Sequence, residues 1–135
     1  MRRLLLLSSL ILVACDRLGG CPMQFERFNG ADHAVARIEG KPLIEISSPE
    51  RLRDIAAFAQ KHSSWWHVPW YGTPVARLDL EIYAGGKFLG DLGIGTSFLT
   101  AQGCDDFQSR GVGAADREAL IALIGVGDPY ADRKP

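Results

Sequence analysis

The sequence predicts a small α+β fold: an antiparallel sheet of about five strands with two helices packed on one of its faces. Three observations predict it. In Val75–Tyr83, Ala76, Leu78, Leu80 and Ile82 fall on one side and Arg77, Asp79 and Glu81 on the other. That is the period-2 pattern of a half-buried antiparallel strand. Leu52, Ile55, Ala56 and Ala59 recur at helical spacing, and so, later, do Leu120, Leu123 and Ile124. Helices interrupting an antiparallel run point to an α+β domain with the helices on one sheet face.

The chain begins with Arg2 and Arg3, followed by Leu4–Ala14, apolar apart from Ser8 and Ser9. A charged start, a short apolar run and a small-residue cleavage site are the parts of a secretory signal peptide. The run is too short to cross a bilayer permanently, which takes about 20 residues. Asp16–Gly20 is a short polar linker with two glycines.

Ala34–Ile38 reads as a strand, Gly40-Lys41-Pro42 as a turn and Leu43–Ile46 as a second strand. Pro42 has no N–H for a ladder, so it belongs at the turn or at the strand's first residue. A helix is predicted from Pro49 to about His62. Ser48 can accept from the N–H groups of its first turn, Pro49 suits the first helical position and Glu50 suits the positive end. Phe58 lies near the edge of its apolar stripe.

Residues 63–74 form an irregular loop that holds all three tryptophans, with two prolines and a glycine. After Val75–Tyr83, Ala84-Gly-Gly-Lys87 is a hairpin turn. Phe88–Ile94 returns with Phe88, Leu92 and Ile94 inward and Gly90 leaving space among them. Gly93 and Gly95 mark a bulge or bend. Ser97–Gln102 is a further strand and Asp105–Gly113 a polar loop. The second helix covers Ala114–Ile124, with Leu120, Leu123 and Ile124 buried and Gly125 as its stop. From Asp128 the chain is polar, and a frayed tail is expected. The expected organisation is a leader at 1–14, a tether at 15–21, one domain at 22–127 and a tail at 128–135.

Without the leader about 121 residues remain, enough for one domain with a true core. Losing Arg2 and Arg3 takes the balance from 15 basic and 16 acidic residues to 13 and 16, a net charge of −3. No block of like charge stands out, so neither a nucleic-acid footprint nor a basic membrane patch is expected.

Leu12-Val13-Ala14-Cys15 resembles the lipobox of bacterial lipoproteins, matching at every position, with the cysteine where the apolar run stops. The resemblance covers the N-terminus alone. It implies cleavage before Cys15, a lipid of the palmitate kind on its thiol, and a periplasm-facing, membrane-anchored protein. Asp16 directly after that cysteine implies, by the enteric sorting rule, retention at the inner membrane; the outer membrane is the other destination.

Cys15 being taken by the lipobox, Cys21 and Cys104 remain in an oxidising compartment, where pairing is expected. The bridge would close a loop of about 84 residues and hold the N-terminal arm to the domain. Cys15 and Cys21 are six steps apart, which limits the tether to about 20 Å.

No catalytic motif is present, and no cofactor or metal is expected. Gly93-Ile-Gly95 lies within a predicted sheet and Gly111-Val-Gly113 precedes a helix whose first turn carries Asp116, so neither suits a phosphate. His62, His67 and His33 are not spaced as ligands and read as surface or capping residues. Cys104 as a nucleophile lacks a histidine context, and its neighbours Asp105 and Asp106 would raise the thiol pKa.

The remaining constellation is the aromatic loop: Trp65, Trp66, His67, Trp70 and Tyr71. Such rings offer large rigid contact area with polar edges, the chemistry of interface hot spots. They serve either as a partner surface or as a cover that closes one end of the core, and a split between the two uses is a third outcome. The expected function is therefore a non-enzymatic, protein-binding lipoprotein of the cell envelope. In size, signal and compartment the layout resembles immunity or inhibitor lipoproteins that neutralise secreted cell-wall hydrolases, which implies a periplasmic protein partner. The alternatives are an accessory subunit of a secretion or assembly machine and a cell-wall enzyme using Cys104.

Overall fold

The computed structural model describes residues 23–104 and 106–132. The lipobox with Cys15, the tether and Cys21 lie outside the described residues, as does Asp105. Six strands, β1 (His33–Ile38), β2 (Lys41–Ile46), β3 (Leu78–Ala84), β4 (Lys87–Ile94), β5 (Phe98–Gln102) and β6 (Phe107–Gly111), form one sheet. Their order is β2-β1-β3-β4-β5-β6, and every neighbouring pair is antiparallel. With helices α1 (Pro49–Lys61) and α2 (Ala114–Ile124), the fold is the α+β architecture that the sequence predicts.

Register explains the two faces. Ala34 pairs with Ile82, Ala36 with Leu80 and Leu92 with Leu80, and these side chains are buried together with Ile46, Leu78, Ile94, Leu99 and Ala101. Leu52, Ile55, Ala56 and Ala59 of α1 and Leu120, Ile121 and Ile124 of α2 complete the same core cluster. Burying a side chain of this size stabilises by about 1.5–3 kcal/mol, so the inward face is what holds the elements together. The opposite face carries Arg37, Asp79, Glu81 and Asp91.

The helix ends follow local chemistry. Ser48 Oγ accepts from the N–H of Arg51 at 3.4 Å, Pro49 stands at the helix start, and Gly125 closes α2 at φ 80°. Within α2 the buried set differs from the expected stripe, since Ile121 and Arg117 are buried while Leu123 is only half-buried.

Several sequence expectations are corrected. Asp105–Gly113 is not all loop: Phe107–Gly111 is β6, paired with β5 from Phe98↔Gly111 to Gln102↔Phe107. Its polar sequence hides it, because Gln108 and Ser109 are buried by what covers them and not by apolar alternation. Phe88 points outward, 51% exposed, because the ladder shifts between Ile82 and Tyr83. The extra residue there, Leu89, reverses the phase and sets Phe88 beside Tyr83, ring centroids 5.7 Å apart. β3 starts at Leu78, since the Arg77 N–H donates to Tyr130 Oη (2.8 Å) instead of to a strand. The segment from Asp128 is not frayed at its start: Asp128 takes both guanidinium arms of Arg117 at 2.8 Å, and Tyr130 is buried.

One element carries no periodic signal. Phe25–Gly30 is a 3-10 turn whose Phe25 and Phe28 are buried. Phe28 fills the space above Gly90, where a Cβ would approach its ring to 2.8 Å, which is the use of the gap that the sequence anticipates.

Candidate partner surface

The loop after α1 is fastened at four points before it exposes anything. His62 caps α1: its N–H donates to Phe58 and Ala59 carbonyls, and its ring stacks on Phe58 at 4.1 Å. His62 Nε2 lies 3.1 Å from Asp116 Oδ2, a contact that ties the end of α1 to the first turn of α2. The residue is thus a capping histidine, as the sequence suggests, but a buried one. His62 holds the Asp116 carboxyl below its ordinary range.

Trp66 is the second fastening. Its Nε1 donates to the His62 carbonyl at 2.7 Å, and its ring meets Phe25 edge-on at 5.5 Å. Only 7% of Trp66 is exposed, so this ring closes the core. Third, Arg110 of β6 donates to the Ser64 carbonyl at 2.9 Å. Fourth, His67 and Ser109 exchange both backbone hydrogen bonds, at 3.0 and 2.9 Å. β6, the strand hidden in the sequence, is therefore the bracket on which the loop is mounted.

On that base Trp65 and Trp70 stand 85% and 91% exposed, and Tyr71, Val68 and Val75 are exposed beside them. Trp65 adopts φ 68°, a left-handed conformation that costs an L-residue about 1–2 kcal/mol. That reversal sends Trp66 inward and leaves Trp65 in water. Trp70 and Tyr71 meet edge to face at 5.7 Å, an arrangement rings prefer. The aromatic loop is thus divided: Trp66 is core, while Trp65 on one side of His67 and the Trp70–Tyr71 pair on the other are exposed. A water-exposed cluster of this kind marks an interaction surface more often than a lone exposed ring does.

From there the chain crosses the helix-free sheet face to reach β3, covering part of it. A side chain at Gly93 would meet Thr100 Oγ1 and come within 2.9 Å of both the Ala76 Cβ and Asp79 Oδ1. Beyond Ala76 the face is acidic. Arg37, Gly40, Asp79, Glu81, Phe88 and Asp91 line a shallow recess of about 460 Å³. Arg37 Nε lies 3.0 Å from Glu81 Oε2, and Tyr83 Oη donates to the same oxygen at 2.8 Å. Burial opposes the charge on Glu81, but these two bonds outweigh it and hold the carboxyl low. Burial pushes Asp79 up, with the charges of Asp91 and Glu81 adding to it. Burial likewise pushes Asp91 up against its bond from the Gln102 N–H.

Cys104 is disulfide-bonded, and its partner lies outside the described residues. A cysteine in that state offers no thiolate, so the nucleophile reading finds no support at this position. Among the described residues, no group of three or more His, Cys, Asp or Glu side chains could hold a metal ion. Nor, among them, is any helix long and apolar enough to cross a membrane.

Set beside known protein families, curated proteins and solved structures, the chain finds no match in any of the three. The class the fold defines is an α+β domain with one helix-covered sheet face and one helix-free face, part of it covered by the segment that follows a braced aromatic loop.

Proposed function

We propose that this chain is a lipid-anchored protein of the bacterial envelope whose α+β domain binds a protein partner through Trp65, Trp70 and Tyr71. The observation that carries the reading is the division within one short loop. Trp66 is spent on the core, while its neighbours are held exposed on a base fixed by His62, Arg110 and Ser109. A pre-organised aromatic surface loses little conformational entropy on binding, which is what makes such residues hot spots. The lipobox supports the address: lipid on Cys15, a bridge from Cys21 to Cys104, and a tether too short to reach far from the membrane. Inner-membrane retention follows from Asp16. Within this reading the partner is a secreted cell-wall hydrolase and the role is immunity, a proposal that rests on size, tether and compartment.

The test is recovery of partners from periplasmic extract by the full chain and by Trp70→Ala/Tyr71→Ala. Both substitutions are at exposed positions and are expected to leave the melting temperature unchanged. A protein held by the parent and lost by the variant supports the reading, and inhibition of its wall-degrading activity identifies immunity. Extracts that yield nothing, or the same proteins from both baits, sink it. Cys15→Ser tests the anchor separately, because it moves the protein from the membrane to the soluble fraction.

A further inference from the structure

The aromatic loop and the acidic recess stand at the two ends of one transverse row of the sheet, whose middle members Ser109, Thr100 and Gly93 are buried. His67, at the root of the loop, bridges Ser109; Ser109 pairs with Thr100, Thr100 with Gly93, and Gly93 with Asp79. The five residues form one transverse row on the helix-free face. At about 4.8 Å per strand step, the row carries the loop to the acidic recess in about 19 Å. A standard interface covers about 800 Å² on each partner, a patch wide enough to include both. Ala76, directly after exposed Val75, sits where the two meet, against Asp79 and Gly93.

The recess itself is short of positive charge. Glu81 and Asp91 stand directly opposite each other on β3 and β4, and Asp79 is two residues from Glu81 on the same face. Like charges in such cross-strand positions are unfavourable. Arg37 is committed to Glu81, and among the described residues no ion pair falls on Asp79 or Asp91. Burial has raised both of those carboxyls, so the cost of holding them charged is borne by the free protein. Phe88 and Tyr83 form an aromatic rim on the same face.

We infer that the partner docked on Trp65, Trp70 and Tyr71 also presents lysine or arginine side chains that seat between Asp79 and Asp91. The inference rests on the reading of the aromatic loop as a protein-binding surface, and adds to it the chemistry of what is bound. Apolar contact at the loop supplies the anchor. Complementary charge about 19 Å away sets orientation and excludes acidic competitors.

A random peptide library selected against the full chain in detergent tests this, with parallel selections on Trp70→Ala and on Asp79→Asn/Asp91→Asn. The expected result is a set of Trp70-dependent peptides in which Lys or Arg accompanies aromatic or aliphatic residues. These bind the double asparagine variant about tenfold more weakly, and raising salt weakens their binding to the parent by a similar factor. The salt series uses the unsubstituted protein, so it decides the matter even if the variant folds poorly. Trp70-dependent peptides with no basic excess and no salt response overturn the inference while leaving the loop reading intact. Selections that give no Trp70-dependent peptide overturn both.

Discussion

Arg51, in the first turn of α1, caps the far end of α2: its Nε donates to the Leu123 carbonyl at 3.0 Å, and its Nη2 to the carbonyl of Ile124. The last carbonyls of a helix have no partner within it and carry its negative end, so a guanidinium there satisfies both deficits. With His62 bound to Asp116 at the opposite ends, the two helices are clasped as an antiparallel pair. Arg51→Ala should lower stability by about 1.5–3 kcal/mol, the range for hydrogen bonds to charged groups. Arg51→Lys should recover only part of the loss, because an ammonium cannot reproduce the fork. Denaturant unfolding of the three proteins checks the order; equal midpoints would remove Arg51 from the account.

The three tryptophans should separate in mutagenesis. Trp66→Ala removes a buried ring and its bond to the His62 carbonyl, and is expected to cost about 3–5 kcal/mol. Trp70→Ala and Trp65→Ala change exposed residues and should stay within about 0.5 kcal/mol. Trp65→Gly should stabilise slightly, because glycine accepts the positive φ of 68° without strain. Thermal melts monitored by circular dichroism give the ranking, and a large loss at Trp70 would show that the exposed ring is structural.

What was legible in the sequence is what local chemistry decides. Ser48-Pro49-Glu50 declares a helix start because the cap's partner, Arg51, is three residues away. Leu78, Leu80 and Ile82 declare a strand because one continuous face is buried. β6 is not legible, since Gln108 and Ser109 become buried only when β5 pairs with them and the loop at His67 covers the edge. Its sole local trace is the turn-forming run from Gly103 to Asp106. Phe88 is misread because a single extra residue, Leu89, inverts the alternation. The aromatic loop is visible as composition, but the division of its rings is not. Trp66 is drawn in by Phe25 and His62, and Phe25 is distant in sequence. The acidic recess gathers residues from three strands, so no stretch of sequence announces it.

Asp128 makes part of the fold pH-dependent at the acid end. Paired with Arg117, its carboxyl is held at about 2 instead of 3.8. A lowered acid binds fewer protons in the folded state, so its contribution is complete above pH 3.8 and is lost as pH falls through about 2. Asp128→Asn should therefore flatten the stability curve across that interval and lower stability at neutral pH, where Arg117 loses its carboxylate partner. Arg117 also donates to the Gly95 carbonyl at 2.6 Å and lies over the Tyr130 ring, so the loss should loosen the 128–132 segment first. Amide exchange at Tyr130, whose N–H donates to Asp128 Oδ1, reports that loosening directly.

Cys104 gives the last prediction. The chain has two other cysteines, and with Cys15 lipidated as proposed, Cys21 is the expected partner of the Cys104 bridge. The bridge would fasten the N-terminal arm near Met23, Phe25 and Phe28, which share a small pocket with Cys104. Closing so long a loop restricts the unfolded chain, and losing the bridge should cost about 2–5 kcal/mol. Cys21→Ser and Cys104→Ser should each show this loss, and the double variant no more than either alone, because one bond is removed in all three. Alkylation of the unreduced protein followed by mass spectrometry should find neither thiol available. Additive losses, or a free Cys21 in the native protein, would assign the bridge elsewhere and leave the tether longer than the lipobox and Cys21 together allow.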